Sequence, residues 1–203
     1  MAHSNVQDLA QSARKSNSRQ RLLDAARHLF VSKGYHATRP QDISKAAELG
    51  HGTFYLHFKD KQDCFLAFVE QARGEIDAEI LARASKATDL AGMVEAILLA
   101  IYDYSESHPG VLVTVLSDEG VIATSSAPGG TILQRWGTEW GEILKGQAQQ
   151  GLVANDYDFA LMGQAIVGSI HQASRYSFER GLPRSVLVKS LTQFIVRALS
   201  PVK

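Results

Sequence analysis

A single cysteine, Cys64, stands among 203 residues. One thiol excludes an intrachain disulfide, and a reducing cytoplasm is the expected setting. No apolar run approaches the length of a membrane span. The opening stretch, "MAHSNVQDLAQSARKSNSRQ", lacks the apolar block of a secretory signal. A chain that stays in the cytoplasm, with no membrane partner, is the expectation. The period-two alternation that marks a half-buried strand is missing throughout. So are internal repeats and low-complexity tracts. The chemistry-bearing motifs are missing too: there is no glycine-rich phosphate loop, no nucleophile motif, and no carboxylate pair suited to acid–base work. Neither an enzyme, nor a cofactor, nor a metal is expected. His51 and His57 do not change this, because a six-residue offset sends them to different helix faces.

What remains is helical. Apolar residues make up 45% of the chain, enough for a sizeable core. The net charge of zero hides an asymmetry. Through Lys61 there are ten basic and five acidic residues, and after it eleven basic and sixteen acidic. A basic end on an acidic body suggests that the end alone meets a polyanion. Residues 1–17 are polar and aperiodic and read as a disordered arm. Ser18 reads as an N-cap, followed by Leu22, Leu23, Ala26, Leu29 and Phe30 at helical spacing, with Gly34 as the stop. Thr38 and Pro40 open a short helix, and a second short one spans about His51–Phe58. Longer helices follow over about 61–85, 89–107, 128–150, 158–180 and 184–199, with a short one at 110–118 and a loop at 120–130. The pattern predicts an all-α fold of about nine helices.

A helix, a short helix, a tight turn and another short helix within about 45 residues form a helix-turn-helix module. Such a module sets its second short helix in the DNA major groove. Here that helix opens on "HGTFY". His51, Gly52 and Thr53 lie at its exposed start, where small residues admit the DNA backbone and free N–H groups meet phosphate. Tyr55 and His57 offer donors to phosphate oxygens. Lys61, at the positive end of the long helix, reaches a flanking phosphate. Phe54 and Phe58 anchor the short helix in the core.

The stretch "RLLDAARHLFVSKGYHATRPQDISKAAELGHGTFYLHFKDKQDCFLAF" resembles the N-terminal domain of the TetR family of bacterial transcriptional regulators. "AARHLF", "KGYHAT", "DISKAAE" and "GTFYLHFKDKQD" occur in the family's order and spacing over about residues 19–68. By position, the resemblance implies a phosphate contact for Thr38 and base or backbone contacts for Arg39 and Gln41. It places His51, Gly52 and Thr53 against bases, and Tyr55, His57 and Lys61 on phosphates. Two positions depart from the family pattern: Glu48 replaces the usual turn glycine, and Gly50 the usual capping serine or threonine. The implied domains are a helix-turn-helix at 18–63 and a helical ligand-binding and dimerisation body at 64–203. The implied function is a ligand-responsive regulator, a repressor bound to double-stranded DNA at palindromic half-sites and released by a small organic effector.

In the body, Trp136 and Trp140 stand one helical turn apart. Core packing and a ligand-pocket wall explain them equally well. Glu139, Tyr104, His108 and His171 border the same apolar faces and share the ambiguity. In the last two helices, Gly163, Ile166, Val167, Ile170, Ala173, Ser174 and Ser177 make a face of mostly small and β-branched groups. Leu187, Val188, Leu191, Phe194, Ile195 and Ala198 make a wide apolar stripe. One packed core would account for both faces. A homodimer through about 158–199 is the reading that the family layout favours.

Overall fold

The computed structural model describes residues 2–117 and 130–201, without the side chains of residues 2–11. The described residues form nine helices and no strands: α1 (Ala2–Lys33), α2 (Pro40–Ala46), α3 (His51–Tyr55), α4 (Lys61–Ala84), α5 (Leu90–Ser107), α6 (Val111–Ser117), α7 (Ile132–Gln149), α8 (Phe159–Arg180) and α9 (Arg184–Leu199). The fold is all-α. Apart from Gly130, the loop expected at 120–130 lies outside the described residues, as does the expected helix start at Pro128. Helix α7 begins instead at Ile132, where Thr131 and Gln134 bond reciprocally across the first turn. None of these helices is long and apolar enough to cross a membrane.

The chain divides into two compact units, Met1–Arg73 with Pro109–Val121, and Gly74–His108 with Ile122–Lys203. In the first, α1 buries Leu22, Leu23, Ala26, Leu29 and Phe30. Phe30 meets Phe65 edge-on at 5.1 Å, and Phe68 lies 5.9 Å from Phe30. Gly34 ends α1 at φ 80°, and its amide donates to the Phe30 carbonyl at 2.9 Å. The helix starts at Ala2, not at Ser18 after a disordered arm. Residues 12–17 are exposed, so tertiary packing does not hold them. Extending a helix already nucleated by a packed segment adds one backbone bond per residue fixed. Ala13, Arg14 and Lys15 have good helix propensity, and the serines and Asn17 cost at most about 0.7 kcal/mol each relative to alanine.

In the second unit, α5, α7, α8 and α9 enclose a core that includes Val94, Ile97, Leu98, Trp140, Leu144, Ile166, Val167, Leu191 and Ile195. Asp103 on α5 pairs with both Arg83 of α4 and Arg184 of α9. Those two hydrogen bonds hold its carboxyl below the usual carboxylate range. Helices α7 and α8 approach through glycines. A Cβ added at Gly163 would stand 2.0 Å from the Gly137 carbonyl oxygen and 2.6 Å from the Gly141 nitrogen.

The small-residue face of α8 therefore serves this crossing. Gly163, Ile166, Val167, Ile170 and Ser177 are buried within the chain, as are Leu187, Val188, Leu191 and Ile195 of α9. Expected as a dimer face, most of these residues are already used by the chain's own core. Phe194 and Ala198 remain exposed. Backbone cannot yield to an added methyl at Gly163 as a flexible side chain would. Gly163→Ala is thus expected to lose about 1–3 kcal/mol through overpacking. Gly146→Ala, where an added Cβ meets nothing within 4 Å, should gain up to about 1 kcal/mol of helix propensity. Chemical denaturation of both variants checks the contrast.

Candidate nucleic-acid interface

Three side-chain ties fix the short helices of the first unit. Arg21 of α1 donates to the Ala47 carbonyl at 2.6 Å, closing the end of α2. Lys61 of α4 donates to the Tyr35 carbonyl at 2.9 Å and sits 4.2 Å from the centre of the Tyr35 ring. Ser18 of α1 places its Oγ 2.7 Å from His57 Nε2, in the turn after α3. Phe54 and Phe58 are buried, with ring centres 5.5 Å apart. With both rings inward, α3 turns the other residues of its short run outward. His51, Gly52 and Tyr55 are exposed and Thr53 is partly so. The His51 ring packs edge-on to Tyr55 at 5.2 Å. Arg39 and Gln41, at the start of α2, are exposed as well.

Thr38 departs from its expected place. Arg39 is the N-cap of α2, and its amide donates to the Asp42 carboxylate at 3.2 Å. The Thr38 side chain is fully buried, and its hydroxyl donates to the Gly34 carbonyl at 2.8 Å. A hydroxyl turned inward to satisfy the end of α1 does not meet a phosphate, so that contact is withdrawn. His57 is also more occupied than the sequence suggests. It is partly buried, and burial lowers its pKa, with Lys15 and Arg19 adding to the effect.

Sequence reading missed the part that α1 plays here. Ser18 was read as a cap, yet it lies in mid-helix against His57. The signal was available: Lys15, Ser18, Arg19 and Leu22 follow at three- and four-residue spacing, which puts them on one helix face. Cys64 is fully buried, and burial pushes its thiol up to about 12. Such a thiol is inert packing.

The expected ligand residues of the second unit are more scattered. Tyr104 is buried, donates from its hydroxyl to Glu75 at 2.7 Å and stacks on His108 at 4.3 Å. The Trp136 indole N–H donates to Asp77 at 3.3 Å. Trp140 is 6% exposed and belongs to the core. Glu139 is exposed and His171 partly buried. A groove of about 680 Å³ runs between α5 and α9, past Leu99, Arg184, Val188 and Thr192. Another of about 510 Å³ lies over Ser190, Gln193, Phe194, Arg197 and Ala198. None of the six expected residues lines either groove. Periodicity places a side chain on a helix face but says nothing of which neighbour fills the space in front of it.

Glu48 is the one non-glycine described at positive φ, 54°, and it lies 3.7 Å from Arg21. The turn keeps the left-handed geometry of a glycine without having one. A left-handed L-residue costs about 1–2 kcal/mol, part of which glycine's extra unfolded-state freedom would return. Glu48→Gly should therefore raise stability by about 0.5–1 kcal/mol. Denaturant midpoints at matched salt test this, and a loss of stability would show the Arg21 pair to outweigh the strain.

Known proteins share this geometry. The family described as bacterial regulatory proteins, tetR family, matches residues 22–68. The chain is 39% identical over 69 residues to the HTH-type transcriptional regulator AcrR of Shigella flexneri, a match covering 32% of each. It is 29% identical over 143 residues to the HTH-type transcriptional repressor KstR2 of Rhodococcus jostii, covering 68% of this chain and 67% of that one. The matches at 39–40% identity span less than half the length of those curated relatives. In fold, a TetR-family transcriptional regulator from Pectobacterium atrosepticum aligns over 94% of this chain and 97% of its own, with a TM-score of 0.67 at 24% identity. The helix-turn-helix stretch, residues 22–68, thus matches the tetR family of bacterial regulatory proteins in sequence, and the helical order of the chain matches that of a solved TetR-family regulator in fold.

Proposed function

We propose that this protein is a DNA-binding transcriptional regulator, a repressor that binds palindromic half-sites as a homodimer and is released by a small organic effector. The observation that carries the reading is the outward face of α3. Phe54 is buried while His51, Gly52 and Tyr55 of the same five residues are exposed. A helix this short buries too little to be a structural strut. Its exposed N-terminal turn suits base edges in a major groove. Arg39, Gln41 and Thr53 join it as base-facing groups, and Tyr55, His57 and Lys61 are the phosphate contacts. Each phosphate contact positions the protein without reading sequence. KstR2, named a repressor, is similar over two thirds of the chain.

Dimerisation through 158–199 is proposed to rest, apart from Phe194, on residues other than those first expected. Leu161, Tyr176, Phe178, Val186 and Phe194 are exposed by 61%, 52%, 88%, 50% and 59%. On α8, Leu161, Ala165, Gly168 and Tyr176 fall on one exposed stripe. So much apolar surface on two neighbouring elements fits a subunit interface. Two copies of α3 reading a palindrome would meet half-sites about 34–36 Å apart, or a multiple of that. For release, the effector is proposed to bind in the helical body near Tyr104, His108 and Trp136. Glu75 and Asp77 of α4 accept from Tyr104 and Trp136. A ligand competing for those carboxylates would act on α4, the helix that also bears Lys61.

Fluorescence anisotropy with duplexes selected by the protein from a random pool tests the reading. Tyr55→Phe is expected to weaken all sequences alike, by about 1 kcal/mol. Thr53→Ala should change base preference by about 1–3 kcal/mol at one position. Equal losses on selected and random DNA for Thr53→Ala contradict its base-reading role. On the same samples, sedimentation should show a dimer at micromolar concentration, and a stable monomer would remove the half-site model. An effector that releases DNA should change Trp136 emission, and release with emission unchanged would place the effector elsewhere.

A further inference from the structure

We infer that Lys15, Ser18 and Arg19 of α1 form, with His57, a second phosphate-binding ridge that carries the DNA contact beyond the helix-turn-helix. This rests on the proposed DNA-binding function and deepens it. The four residues meet from two elements. Ser18 Oγ is 2.7 Å from His57 Nε2. The Arg19 guanidinium lies 5.2 Å from the centre of the Phe58 ring, which holds it beside the same turn. Lys15 stands one helical turn before Arg19, and both are exposed. Among the described residues, neither cation has a carboxylate within ion-pair distance. The two cations lie near enough to be felt at the imidazole: Lys15 and Arg19 add to the effect of burial in lowering the His57 pKa. A phosphate placed on the ridge would accept from Lys15 and Arg19, while Ser18, whose hydroxyl donates to the Lys15 carbonyl at 3.0 Å, and His57 join the two elements beneath it.

The shape of the element supports the same assignment. Helix α1 continues through residues 12–17, which are exposed. Backbone order there presents the basic groups in a fixed row. His57 belongs to the turn after α3, so the ridge begins where the expected clamp of Tyr55, His57 and Lys61 leaves off. A nucleic-acid backbone is the occupant because it presents successive phosphates to a row of cations, and because the chain through Lys61 carries ten basic residues against five acidic ones.

The test compares wild type, Lys15→Ala/Arg19→Ala and Lys15→Arg/Arg19→Lys on one duplex selected by the wild type from a random pool, across a salt series. Both side chains are exposed, and circular dichroism confirms that the variants remain helical. The alanine pair removes two phosphate contacts per protomer. The slope of log K against log salt should then flatten by about 1.8 per protomer. Affinity at 0.15 M salt should fall about 30-fold per protomer, which is that slope carried to 1 M. Base preference should be unchanged, and the charge-preserving pair should keep the wild-type slope. An unchanged slope in the alanine pair, with wild-type binding intact, overturns the ridge and leaves the regulator reading standing. A wild type that selects no sequence and binds no duplex overturns both.

Discussion

Helix α3, His51–Tyr55, has five residues, fewer than two turns, and an isolated helix of that length does not form in water. Its position comes from two rings. Phe54 and Phe58 are 0% and 2% exposed, and burying a large apolar side chain is worth about 1.5–3 kcal/mol. The Phe58 amide donates to the Phe54 carbonyl at 2.9 Å, so one backbone bond joins the two anchors. With both rings inward, His51, Gly52 and Tyr55 face out. The polar display on this surface is therefore set by apolar burial beneath it. His57, between the two anchors in sequence, donates its amide to the Phe54 carbonyl at 3.0 Å and meets Ser18 Oγ at 2.7 Å.

The ties around α3 are electrostatic and less costly to exchange. Lys61 rests on the Tyr35 carbonyl and ring. An ammonium already satisfied by the protein must give up or share those partners to meet a phosphate. In the proposed phosphate contact, such a lysine would gain only modestly on meeting the DNA backbone, which suits a regulator that must also let go. The inward contacts of Thr38 and the outward ones of Arg39 differ for a related reason. One residue closes the end of α1 and the next opens α2, so adjacent positions face opposite media.

The helical order was legible because apolar residues recur at three and four positions, with glycine and proline at the breaks. Asp89 caps α5 by accepting from the Gly92 amide at 2.7 Å, as a reading of that aspartate as a helix start implies. The burial of Phe54 and Phe58 was legible from their spacing. Other features needed three dimensions. The extension of α1 over residues 12–17 has no apolar stripe to announce it. Thr38 carries the composition of a cap but spends its hydroxyl on Gly34. Gly163 looks like an interface residue, and it is one, but between two helices of the same chain. Glu48 is the subtler case: the departure from the family's glycine was visible in sequence, while its φ of 54° was not.

The dependence of α3 on its two rings can be read directly by native-state hydrogen exchange at the Phe58 amide. If the rings weld α3 to the core of the first unit, this amide opens only with that core. Its exchange free energy should then match those of the α1 amides at Ala26 and Phe30. Exchange from Phe58 faster by orders of magnitude, with Ala26 and Phe30 still protected, would show that α3 opens by itself. That result would contradict the claim that aromatic burial sets the outward face.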